Sequence, residues 1–143
     1  MATRAPRTTR RSDALSKQRI VDAAIEILDA DGESALTFRA LAARLETGAG
    51  AIYWHVENKS DLLVAAADEV IARVDASLEQ SAEPVAAIRA VALGVYDAID
   101  AHPWVGAQLV RVPWQQAMLR IYERVGAQLR ILAVPERSLF YAA

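Results

Sequence analysis

No cysteine occurs in the 143 residues of the chain, which excludes a disulfide scaffold, a thiolate metal site and cysteine catalysis. Histidine is nearly as scarce, at two residues, and no His-Glu-x-x-His spacing, phosphate-cradling glycine loop or Ser-His-Asp grouping is present. These absences point away from an enzyme and call for no cofactor. Five prolines and six glycines are too few for a collagen-like or low-complexity chain. No apolar run approaches the roughly 18 residues that would span a bilayer, and no hydrophobic segment follows the basic N-terminus as a secretory signal requires. The expectation is a soluble, cytoplasmic protein of one or two small domains with no membrane partner.

Apolar types make up 54% of the chain, enough to bury a core. Charge is distributed unevenly. Residues 1–19 carry Arg4, Arg7, Arg10, Arg11, Lys17 and Arg19 against Asp13 alone, a net +5 in a chain whose total is −2, so the remainder carries −7. A basic, Ser/Thr-rich arm over 1–15 without apolar periodicity is expected to be disordered in isolation. Such an arm either binds a polyanion, each neutralised phosphate releasing counterion, or is a solvated tail.

The rest reads as helix throughout, without a strand or an internal repeat. Ile20, Val21, Ala24, Ile25 and Leu28 form a stripe that Ser16 caps and Asp31-Gly32 ends. Thr37 caps a short helix with Phe38, Leu41, Ala42 and Leu45 at i, i+3, i+4, i+7. A third short helix follows Glu46-Thr47-Gly48, with Ala49, Ile52 and Val56 inward. Asn58 and Asp61 resemble a capping box for a long fourth helix reaching Leu78. Glu83-Pro84 opens a fifth, with Val85, Ile88, Ala92, Val95, Tyr96 and Ile99 as its stripe, closed by His102-Pro103. A short helix over roughly 104–110 comes next. Pro113 opens another that buries Met118, Ile121, Tyr122, Val125, Leu129 and Leu132, and Pro135 starts a last one.

The second and third helices have the lengths of a helix-turn-helix. Gly32-Glu-Ser-Ala-Leu-Thr-Phe-Arg-Ala-Leu-Ala-Ala-Arg-Leu45 followed by Ala51-Ile-Tyr-Trp-His-Val-Glu-Asn-Lys-Ser-Asp-Leu-Leu63 resembles the DNA-binding head of TetR-family transcriptional regulators. The likeness covers about residues 16–63 and is most specific at Tyr53-Trp54-His55-Val56-x-Asn58-Lys59. It implies an all-α fold: an N-terminal three-helix helix-turn-helix domain (16–63) joined by a long helix to an incomplete C-terminal helical ligand-binding and dimerisation domain (64–143). It also implies a homodimer on a double-stranded DNA operator, released by a small-molecule effector as a repressor is. Family members extend past this chain's last residue, and the extension includes dimerising helices. Leu139, Phe140 and Tyr141 would suit such an interface.

By the same resemblance, Tyr53, His55 and Lys59 clamp the DNA backbone, while Arg39 and helix-3 residues such as Ala49 reach base edges. Thr37 and Asn58-Lys59 stand at helix N-termini whose free N–H groups suit phosphates. Arg39 on a guanine would supply about 1–3 kcal/mol of discrimination. Trp54 belongs to the DNA-contact set or, with Tyr53, fills a small core. In the second domain Tyr96, His102, Gln108, Trp114, Met118 and Tyr122 are candidates to line an effector cavity. The same aromatics at helical spacing suit ordinary core, and His102 suits a helix C-terminus.

The sequence departs from the family where its turn usually has glycine: Glu46 implies a positive φ on a non-glycine residue. Thr47 replaces an aliphatic anchor. Gly48-Ala49-Gly50 stands where relatives present larger or polar groups, and residues 20–62 carry three basic against eight acidic groups. Affinity is therefore expected to depend on the arm, with helix 3 reading few bases. A DNA-binding or protein-interaction module without an effector site is the alternative.

Overall fold

A computed structural model describes residues 15–78, 83–135 and 137–138. Among the described residues the helices run in order α1 (Lys17–Asp31), α2 (Phe38–Arg44), α3 (Ala49–Tyr53), α4 (Lys59–Ser77), α5 (Pro84–Ala101), α6 (Pro103–Arg111) and α7 (Gln116–Ile131), with a 3₁₀ turn over Glu33–Ala35. No strand occurs among the described residues. The basic arm up to residue 14 and the segment 139–143 with Leu139, Phe140 and Tyr141 lie outside them.

Local chemistry sets the helix ends. The Ser16 hydroxyl accepts from Arg19 N–H at 3.2 Å, and Thr37 Oγ1 accepts from Ala40 N–H at 3.0 Å. Asn58 Oδ1 accepts from Asp61 N–H at 2.9 Å while its Nδ2 donates to Asp61 Oδ2 at 2.8 Å. The reciprocal bond thus runs between side chains, because Asp61 is too short to reach the cap's own backbone N–H. Glu83 caps α5 through Val85 and Ala86 N–H, with Pro84 at the first helical position. Gly32, at φ +78°, ends α1 in a conformation few other residues adopt.

The α2–α3 turn adopts the positive φ expected for it, at +52° on Glu46. Thr47 N–H donates to Ala42 O at 3.0 Å and Glu46 N–H reaches Ala43 O at 3.4 Å, the paired bonds of a Schellman ending. These bonds satisfy the last carbonyls of α2 and hold a residue that costs on the order of 1 kcal/mol more than glycine there.

One apolar core runs through the molecule. Ile20, Leu36, Leu41, Ile52 and Leu62 are fully buried among α1–α4, and Val105 and Leu109 of α6 continue the same cluster. Gly94 lets α5 approach α4: a Cβ there would stand 2.8 Å from Val74 Cγ1. The sequence stripe is right for part of the α5 face, where Val95 and Ile99 pack against the core, and wrong for the rest. Val91 and Ala98 are buried, whereas Val85 and Tyr96 point outward with Ala92. Arg89, Asp97 and Asp100 mark the outer side, but apolar residues occupy most of the remaining circumference, so periodicity left a broad choice of inner face. The seventh helix begins at Gln116, not Pro113, and both Tyr122 and Leu132 are exposed. Near the end, Ser138 N–H donates to Pro135 O at 2.7 Å.

Candidate nucleic-acid interface

Three of the residues singled out from sequence share one groove. Thr37 and Phe38 at the start of α2, Tyr53 at the end of α3 and Lys59 at the start of α4 line a cleft of about 340 Å³ floored by Leu36, Leu41 and Leu62. The Tyr53 ring stacks on Phe38 with centroids 4.4 Å apart and planes 7° from parallel, yet the residue remains 55% exposed. Tyr53 is therefore half anchored and half presented: packing fixes its ring and leaves an exposed surface for a partner.

Lys59 donates to the Glu33 carbonyl, which ties the start of α4 to the 3₁₀ turn. An ammonium has three donors, so two remain for other acceptors. Two helix N-termini thus flank the tail of α3, with N–H groups that side-chain caps only partly satisfy. Trp54 is 89% exposed, which removes it from any core, and His55 beside it is exposed. Arg39 is exposed on α2 and makes no ion pair or hydrogen bond among the described residues. Ala49 is half-buried against the core, so α3 presents chiefly backbone on its outer face. A Cβ at Gly48 or Gly50 would meet nothing within 4 Å, so the surrounding fold does not require glycine at either position.

The six residues considered for an effector cavity do not come together. Tyr96 and Trp114 are exposed at 67% and 77%, Tyr122 is exposed, and Met118 packs against the core. The His102 ring does not cap α5. Its Nδ1 lies 2.7 Å from Asp29 Oδ1, which also accepts from Trp104 Nε1 at 2.7 Å. Gln108 is buried, with Oε1 accepting from Arg111 and its carbonyl accepting from Gln115 Nε2 at 3.3 Å. Arg111 in turn reaches both Glu33 oxygens at 3.2–3.3 Å. Both ends of α6 are thus latched to the α1–α2 region, and the Glu33 latched by its carboxylate holds Lys59 by its carbonyl.

The larger cleft lies instead between the end of α4, α5 and α7. It measures about 470 Å³ and is lined by Leu78, Ala87, Ala90 and Val91 on one side and Arg120, Glu123 and Gln128 on the other. Sequence reasoning missed it because it followed the aromatic residues. The available signal was the polar face of α7, with Arg120, Glu123 and Arg124 at i, i+3 and i+4. Burial pushes the neighbouring Asp68 carboxyl above its ordinary value, against the opposing pull of the Ala117 N–H it accepts and of Arg120.

A short helix pair in this order, its second helix ending in exposed aromatic and basic groups between two helix N-termini, defines a helix-turn-helix head on a helical body. Residues 20–66 match the family model described as bacterial regulatory proteins, tetR family. The chain is 36% identical over 104 residues to an HTH-type transcriptional regulator of Saccharopolyspora erythraea, covering 73% of this chain and 44% of that protein. The structure resembles the transcriptional regulator SCO7222, a TetR from Streptomyces coelicolor, with TM-score 0.84 and 49% identity over 90% of this chain and 65% of that one. It also resembles BioQ solved with its double-stranded DNA operator, at TM-score 0.73 and 29% identity, covering 88% of this chain and 77% of that one. The S. coelicolor TetR family protein ActR, solved in complex with (S)-DNPA, matches at TM-score 0.76 and 28% identity over 89% of this chain and 63% of that one.

The chain belongs to the TetR family, a family of regulatory DNA-binding proteins. It spans under half the length of the Saccharopolyspora regulator and about two thirds of SCO7222. No helix among the described residues is long and apolar enough to cross a membrane.

Proposed function

We propose that the chain is part of a sequence-specific transcriptional regulator, a repressor that binds a double-stranded operator as a homodimer and is released by a small-molecule effector. It acts in the cytoplasm and by binding, without catalysis. Residues 16–63 form the DNA-binding domain, 64–143 the effector and dimerisation domain, and 1–15 a basic arm that reaches phosphates. Thr37, Tyr53, His55 and Lys59 hold the backbone, with Trp54 beside them, while Arg39 and Ala49 face base edges. The observation that carries this reading is the shared groove of Thr37, Tyr53 and Lys59 between two helix N-termini. The DNA complex of BioQ and the ligand complex of ActR supply the likeness for operator and effector.

The bare outer face of α3 gives the arm its importance. Glycine offers no side-chain donor to a base, and residues 20–62 carry a net negative charge. Selection of duplexes from a random library at physiological salt is expected to enrich an inverted repeat. Deleting residues 1–12 should then weaken binding and flatten its salt dependence, by about 0.9 in the log–log slope for each phosphate that the arm neutralises. An unchanged slope would refute the role of the arm.

The same bare face favours one second reading, a helical interaction module without an effector site. The double substitution Tyr53→Ala and Lys59→Ala separates the two: the repressor loses duplex binding, whereas the module never showed it.

A further inference from the structure

We infer that the α4–α5–α7 cleft is the binding site of an amphiphilic organic acid, with Arg120 as the group that recognises the acid. The site's role as the effector site rests on the repressor function proposed above. Its binding chemistry stands on the geometry alone.

The two arginines of the cleft differ in kind. Arg124 is committed, its Nε donating to Asp75 Oδ1 and its NH2 group to the Asp75 carbonyl at 2.9 Å, so it locks α7 to α4. Seven residues earlier on α4, Asp68 is committed too, accepting from Ala117 N–H at the start of α7. Arg120 sits between these two links. It attracts Asp68 through space but makes no hydrogen bond or ion pair among the described residues. A guanidinium presents donors in a planar fork that a carboxylate or sulfonate satisfies in bidentate fashion.

The opposite wall supplies the apolar half of the site. Ala87 and Ala90 of α5 face Ala127 of α7, and these small side chains leave the space open where larger ones would close it. Leu78 and Val91 complete an apolar wall able to take a ring or a short alkyl body. Glu123, one turn from Arg120, also has no hydrogen-bond partner among the described residues. A plain anion would meet its charge unfavourably. A ligand that adds a hydroxyl or N–H donor to its acid group satisfies both side chains, so the class is an acid with an apolar body and at least one donor.

Two dyes that differ by the acid alone test this. 1-Anilinonaphthalene-8-sulfonate carries a sulfonate and an anilino N–H, and N-phenyl-1-naphthylamine keeps the body and the N–H without the acid. Fluorescence titration of the full chain is expected to show the sulfonate dye bound more tightly than the neutral one. Arg120→Gln should weaken the sulfonate dye at least tenfold and leave the neutral dye within twofold. Arg120 is exposed, so this substitution spares the core. Ala87→Trp, which fills the cleft from α5, should weaken both dyes. Equal effects of Arg120→Gln on the two dyes, or no effect on either, would overturn the inference, as would unchanged binding of both in Ala87→Trp. Failure of the chain to bind any duplex would overturn the repressor reading alone, because dye binding is scored without DNA.

Discussion

The head, α1–α3 with the first half of α4, and the body, α5–α7, are built to different standards of closure. Among the described residues, the largest fully buried side chains are Ile20, Leu36, Leu41, Ile52 and Leu62 in the head and Val105 in the body. The head's large exposed apolar residues are Tyr53 and Trp54, which stand together on the surface proposed to meet DNA. The body exposes Val85, Leu93 and Tyr96 on α5, and Val110, Trp114 and Ile131 farther on. Beyond the apolar core that the two share, polar links tie it to the head and to α4, Asp29 with His102 and Trp104, Glu33 with Arg111, and Asp75 with Arg124. A surface that must match a rigid duplex needs a rigid support, which dense packing provides. A region that answers a ligand needs alternatives of similar energy, which part-exposed polar latches and an open cleft allow.

Substitutions in the two regions should expose the difference, and the largest effect belongs to the head. Ile52→Ala empties a fully buried site beneath α3 and is expected to cost about 2–5 kcal/mol in urea denaturation, with duplex binding lost alongside. Leu93→Ala on the outer face of α5, 55% exposed, should cost under about 1 kcal/mol. Equal costs at the two sites would dissolve the contrast.

The latch between the regions comes next. Asp29→Ala leaves the His102 and Trp104 donors without their shared acceptor, and because the site is part-exposed the cost should be about 1 kcal/mol. Asp29→Asn keeps one oxygen and should recover part of it. A thermal midpoint for Asp29→Ala that coincides with the parent's would show that the latch carries no stability.

The smallest effect has opposite signs in two measurements. Gly50→Ala adds a Cβ into open space and a better helix former, so stability should rise by about 0.5–1 kcal/mol. Duplex affinity should fall, since the methyl group stands on the face proposed to approach the bases. A variant both more stable and equally tight on DNA would remove α3 from the interface.

Much of the head could be read directly from the residues. Ser16, Thr37 and Asn58 cap as their side chains predict, because a cap is a contact between residues three apart and owes nothing to the rest of the fold. The positive φ of Glu46 was legible for the same reason, being a property of a single turn. The groove of Thr37, Tyr53 and Lys59 followed from a motif whose parts lie within 23 positions of one another.

The body resisted such reading. The inner face of α5 was decided by what packs on it, since its apolar residues spread over more of the helix than one buried face can take. The partners of Asp29 lie 73 and 75 residues away, and Arg124 meets Asp75 across 49. No local rule relates such residues. The amino-acid sequence by itself determined where the helices of the head begin and end, because caps, turns and periodicity act over one to two turns. Only the tertiary structure decided which helix faces meet, that His102 serves a latch, and that Arg120 opens onto a cleft. Those outcomes depend on how helices distant in sequence fill space together.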